Sequence, residues 1–80
     1  MTHPVAPTPP QVLVFAASDP SSGAGIQADL LTLASLGCHP LTAVTALTVQ
    51  DTVGVQSVHA TSAETLEQQA RTILEDMPVV

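Results

Sequence analysis

The 80-residue sequence contains no lysine and a single arginine, Arg71, against seven acidic residues, giving a formal net charge of -6. A surface that tracks nucleic-acid phosphates needs clustered Lys and Arg, so nucleic-acid binding is excluded. The same shortage excludes docking on an anionic membrane. Trp, Tyr and Asn are absent and Phe15 is the only aromatic of its kind, which removes stacking platforms for bases. With one cysteine, Cys38, no internal disulfide can form. No apolar run approaches the ~20 residues that span a bilayer. The apolar stretch Val12–Ala17 falls short of a signal-peptide core of about 7–15 residues, and no Lys or Arg precedes it. A cytoplasmic location is the expectation.

What is present is a globular composition, 45% apolar and almost entirely aliphatic. Eighty residues is about half the usual allotment for one domain. A lone domain of this size buries only about 60% of the surface that its unfolded chain exposes, so its core is small. Residues 1–10 hold four of the seven prolines and read as a disordered Pro-rich leader, because proline removes backbone donors and favours extended chain. Residues 11–80 read as one incomplete domain.

Gln11–Ala17 is a short continuous apolar run, the pattern of a strand buried on both faces of a parallel sheet. Ser18–Gly23 is turn chemistry throughout. From Ala24 to Leu36, Ile26, Leu30, Leu33 and Leu36 recur at helical spacing, and Gly37 stands where a left-handed cap is needed. Leu41–Val49, rich in Thr and Val, reads as a second strand. A loop over residues 50–54 leads to a short third strand, Val55–Ala60. Thr61 and Glu64 fit a capping box. The helix that follows carries Ala63, Leu66, Ala70, Ile73 and Met77 on one face, and Pro78 ends it. Val79–Val80 reads as the first step of another strand. Strand–helix–strand order implies α/β architecture with parallel crossovers.

The segment joining the first strand to the first helix carries the functional signal. In open α/β sheets ligands lie at the carboxyl ends of the strands. Gly23 and Gly25 permit close backbone approach and positive φ there. A P-loop is excluded because it requires a lysine. Gly23, Gly25 and Ala28 do match the dinucleotide-binding pattern G-x-G-x-x-A, with Asp51 as the ribose-binding acid. That acid lies late and the turn before Gly23 is long, so a Rossmann half of an oxidoreductase stands as an alternative. Cys38 follows a helix C-terminus, whose negative end disfavours a thiolate, and reads as a small buried filler. His3, His39 and His59 have no second ligand at metal-binding spacing.

The run from Ala17 to Asp29 (ASDPSSGAGIQAD), then Leu36-Gly37, Val44–Thr52 (VTALTVQDT) and Gly54–Val58 (GVQSV), resembles the N-terminal part of the hydroxymethylpyrimidine/phosphomethylpyrimidine kinases of thiamine biosynthesis. The family pattern usually has glycine at positions matching Ala17 and Ser22, and asparagine at the position matching Asp51. The resemblance implies the N-terminal part of a ribokinase-like three-layer α/β/α fold with a mainly parallel sheet. It implies phosphoryl transfer from ATP, with Mg²⁺, to 4-amino-5-hydroxymethyl-2-methylpyrimidine and its monophosphate. Related pyridoxal kinases share much of the first loop and form a second alternative. The resemblance further implies that Gln50 contacts substrate, and that Ala17 lies where the backbone passes close to the pyrimidine. Asp29 is a further candidate contact, while Asp19, Gly23 and Gly25 shape the loop. A carboxamide suits an aminopyrimidine independently: its O and N–H complement an exocyclic N–H beside a ring nitrogen, as when Gln pairs with adenine. The catalytic residue and the ATP site are expected outside these residues, and a homodimer is implied for the complete enzyme.

Overall fold

A computed structural model describes residues 8–80; the expectation for residues 1–10 therefore lies mostly outside the described residues. The elements follow in the order β1 (Gln11–Ser18), α1 (Gly25–Ser35), β2 (His39–Gln50), β3 (Val55–Ala60) and α2 (Ala63–Asp76). The strands form one sheet in the order β1-β2-β3. β1 and β2 run parallel, joined by α1 as crossover, whereas β2 and β3 run antiparallel. Among the described residues the sheet is thus mixed, since the four-residue loop 51–54 can only return the chain as a hairpin.

Both helices are set by their termini. Gly37, at φ 80, closes α1: its N–H donates to the Ala34 carbonyl and that of Cys38 to the Leu33 carbonyl, a Schellman ending. Cys38 is half-buried, not fully buried as expected. α2 is capped by Ser62, one residue later than expected; its Oγ accepts the Thr65 N–H at 3.1 Å. Thr61 is occupied otherwise, its N–H donating to the Thr45 carbonyl at the end of the hairpin. On the exposed side of α2, Arg71 pairs with Glu67 one turn earlier.

Thr42 lines a groove with Thr65, Gln69 and Ile73 of α2. Side chains alternate along a strand, so Leu41 and Ala43 point to the other face, where they are buried with Ile26 of α1. The helices therefore cover opposite faces of β2, the three-layer arrangement. The core is slight: among the described residues Ile26, Leu41, Ala43 and Ala46 are the buried apolar ones, and no large side chain is fully enclosed. β1 is less covered than its apolar run suggests: Phe15, in register with Ala43 on the α1 face, is 53% exposed, and among the described residues α2 packs on β2 and not on β1.

Two irregularities decide what faces the site. β1 and β2 stay in register up to Ala16 opposite Val44, after which Ser18 sits opposite Leu47, so β2 holds one extra residue. The bulge moves the inward series from odd to even positions: Leu41 and Ala43 are buried, then Ala46, and Thr48 and Gln50 continue the series half-buried. Without the extra residue Gln50 would project from the opposite face. The Val44 N–H is taken by the Gln69 side-chain oxygen at 3.3 Å. The second irregularity lies in the hairpin, where Val49 faces Ser57 but Gln50 faces Val55, leaving Gln56 as the extra residue of β3.

Candidate functional site

The β1–α1 connection is organised by Asp19, which is only 3% exposed. Its Oδ1 accepts the Ser21 N–H at 2.9 Å and the Ser21 hydroxyl at 2.8 Å, and its Oδ2 accepts the Ala24 N–H at 2.9 Å. The Ser22 N–H closes a turn onto the Asp19 carbonyl at 3.0 Å. Gln27, in the first turn of α1, clamps the strand end: its side-chain oxygen accepts the Asp19 N–H at 2.8 Å and its Nε2 donates to Ser18 Oγ at 2.7 Å. Ser22 has φ 63, at a position where the family pattern has glycine, and bears the strain of the left-handed region at about 1–2 kcal/mol. Gly25 has φ 64, and a Cβ there would stand 2.4 Å from the Ala17 carbonyl oxygen and 3.1 Å from the Asp19 nitrogen. The helix start thus lies directly against the backbone at the end of β1, at a distance that only glycine allows.

Because β1 and β2 are parallel, this turn and Gln50 lie at the same end of the sheet. Thr48 ties the two strand ends together, its Oγ1 donating to the Ser18 carbonyl at 2.6 Å. Gln50 lies two residues further along β2, on the same face as Thr48. Ala17 sits half-buried at the end of β1, and Gly23 is exposed in the turn. Asp29 is exposed on the second turn of α1 and takes no part in the loop network. Thr48, Gln27 and Ser21 were not singled out from sequence. Of these, Gln27 left the clearest trace, as a polar residue directly after the core-facing Ile26.

Asp51 does not behave as a ribose-binding acid. Its Oδ1 accepts the N–H groups of Val53 at 2.8 Å and Gly54 at 3.2 Å, so it shapes the hairpin turn. The dinucleotide alternative also needs a tight turn and a parallel continuation, and the six-residue connection 19–24 and the antiparallel β3 supply neither.

The two loop carboxylates predict a pH response. Burial pushes the Asp19 carboxyl up; the Ser21 hydroxyl, with the amides of Ser21, Ala24 and Gly23, more than offsets this and leaves it below its ordinary value. The Val53 and Gly54 amides likewise lower that of Asp51. A carboxylate whose folded pKa is depressed contributes stability above its unfolded pKa and loses it as pH falls through the folded value. The melting temperature should therefore fall on acidification below about pH 4. Asp19→Asn should lower it at pH 7 and flatten the acid limb. An acid limb unchanged in Asp19→Asn and Asp51→Asn would show that neither network matters to stability.

The described residues do not fit ATP with Mg²⁺. Among them no three His, Cys, Asp or Glu side chains gather where they could hold a metal ion, and Arg71 lies on α2, engaged with Glu67. An open groove of about 390 Å³ between α2 and β2, lined by Thr42, Gln68 and Thr72 among others, lies on the other face of the sheet from the inward series that ends at Gln50.

Comparison with known proteins bears on this arrangement directly. The family model described as "Phosphomethylpyrimidine kinase" matches residues 19–80. The chain belongs to the phosphomethylpyrimidine kinase family. It is 47% identical over 79 residues to the hydroxymethylpyrimidine/phosphomethylpyrimidine kinase of Mycobacterium tuberculosis, covering 95% of this chain and 29% of that protein. Among solved structures, the phosphomethylpyrimidine kinase of Clostridium difficile 630 superposes with a TM-score of 0.81 at 39% identity, covering 86% of this chain and 32% of that one. A pyridoxal kinase from Staphylococcus aureus, solved with AMP-PCP and pyridoxal, gives a TM-score of 0.77 at 36% identity, covering 89% of this chain and 27% of that one. The fold is that of the N-terminal part of a ribokinase-like kinase. The chain spans less than a third of the length of these relatives.

Proposed function

We propose that this chain supplies the pyrimidine-side part of a kinase that transfers the γ-phosphoryl group of ATP to the hydroxymethyl oxygen of 4-amino-5-hydroxymethyl-2-methylpyrimidine, and then to its monophosphate. The observation that carries this reading is the placement of Gln50: the bulge in β2 turns it onto the inward face, at the sheet end where the Asp19–Gly25 turn lies. There its carboxamide can accept from the exocyclic amine and donate to the adjacent ring nitrogen. The backbone at Ala17 and the glycine turn would border the ring from β1, with Asp29 as a further candidate contact. Phosphoryl transfer is positioning plus charge stabilisation by cations, backbone donors and Mg²⁺. One surface arginine cannot supply these, so residues 11–80 are read as part of a larger kinase domain that binds ATP and Mg²⁺ elsewhere. The sparse core and the exposed Phe15, Leu31 and Leu74 support that incompleteness. The reading carries with it a cytoplasmic location and a homodimer for the complete enzyme.

The likeness to pyridoxal kinases favours one competing substrate. A chimera in which this chain replaces the matching N-terminal segment of the M. tuberculosis relative separates the two. It should phosphorylate the aminopyrimidine with a kcat/KM well above that for pyridoxal, and the 80-residue chain alone should phosphorylate neither. Preference for pyridoxal would reverse the assignment, and turnover by the chain alone would overturn the division of labour.

A further inference from the structure

The hairpin bulge has a consequence for substrate selection. Regular pairing beyond Val49–Ser57 would set Gln56 against Gln50; the extra residue sets Val55 there instead. Directly paired residues of antiparallel strands share a face, with Cβ atoms about 4.5–5.5 Å apart. Val58, paired with Thr48, lies on that same face. Val55 and Val58 are 58% and 60% exposed: they stand open beside a half-buried carboxamide. Ser57 and His59, joined at 3.4 Å, occupy the other face of β3. Bulges re-aim side chains next to functional sites, and this one exchanges a polar neighbour of Gln50 for an apolar one.

We propose that Val55, backed by Val58, is the apolar wall that packs against the ring gripped by Gln50, and so a specificity-determining residue of the pocket. This inference rests on the pyrimidine-kinase reading. Gln50 satisfies the polar edge of the heterocycle; Val55 excludes water from its face and disfavours ring analogues that carry a polar group on that side.

The test uses the full-length chimeric kinase. Val55→Thr keeps volume and strand preference but exchanges a methyl for a hydroxyl. It should raise the pyrimidine KM about tenfold, the low end of what one apolar contact in a pocket confers, with the ATP KM, kcat and melting temperature little changed. Val53, 93% exposed at the hairpin tip, is the matched control, and Val53→Thr should change nothing. If Gln50→Ala raises the pyrimidine KM and Val55→Thr does not, the wall is refuted and the kinase reading stands. If Val55→Thr raises the KM for ATP as much as for pyrimidine, its role is structural and the proposal fails. If neither variant moves the pyrimidine KM, or the chimera has no pyrimidine kinase activity, both fail.

Discussion

Replacing Gly25 with alanine should lower the melting temperature far more than the same change at Gly37. Both glycines hold positive φ, 64 and 80, so each replacement incurs the left-handed penalty of about 1–2 kcal/mol. The surroundings differ. Nothing lies within 4 Å of a Cβ built on Gly37, whereas one on Gly25 meets the Ala17 carbonyl oxygen at 2.4 Å and the Asp19 nitrogen at 3.1 Å. The nearest obstacles are backbone atoms at the end of β1, held by the Gln27 clamp, and cannot swing aside as a flexible side chain would. Adding this overpacking brings Gly25→Ala to about 3 kcal/mol. For a domain of this size that is roughly 15 °C in melting temperature, against roughly 5 °C for Gly37→Ala. Thermal unfolding followed by far-ultraviolet circular dichroism reads both. Equal losses would mean that α1 does not start against β1 as described.

The elements were legible in the sequence because each carried a local signal of its own. Helical spacing with Gly37 behind it marked α1, the Thr- and Val-rich run marked β2, and Val55–Ala60 marked β3. What stayed hidden depends on partners distant in the chain. Neither bulge has a sequence signature, since a bulge is a mismatch in count between two strands and appears only when they are paired. Yet these two residues decide which face Gln50 takes and what stands across from it. Thr61 and Ser62 are chemically equivalent caps in the sequence, and Ser62 takes the role in α2; the Thr45 carbonyl, sixteen residues earlier, claims the Thr61 N–H. The expected two-sided burial of β1 failed for a related reason. An apolar run records that a strand needs cover, and Phe15 shows that the elements present do not provide it all.

At the site, the turn residues were legible in part. Asp19 as a turn-maker follows from Asp-Pro-Ser chemistry, and glycine at position 25 is legible as a residue that permits positive φ and close backbone approach where strand passes into helix. Ser22 could be flagged only against the family pattern, and its positive φ is the physical content of that departure. The roles of Gln27 and Thr48, gripping the Asp19 N–H and the Ser18 carbonyl, are backbone contacts that residue type does not announce.

Gln50→Ala in the full-length chimera is the measurement that bears most directly on the central claim, that the carboxyl ends of β1 and β2 form one cleft for an aminopyrimidine. A bidentate amide–heterocycle pair contributes on the order of 2 kcal/mol of recognition, so removing it should raise the pyrimidine KM about 30-fold. The ATP KM should stay put, because no described residue near Gln50 is suited to bind phosphates. The effect should fall mainly on KM, as expected for a contact made equally in ground and transition states. A pyrimidine KM that rises about 30-fold beside an unmoved ATP KM is the predicted result; an unaltered pyrimidine KM would place the substrate elsewhere and contradict the account.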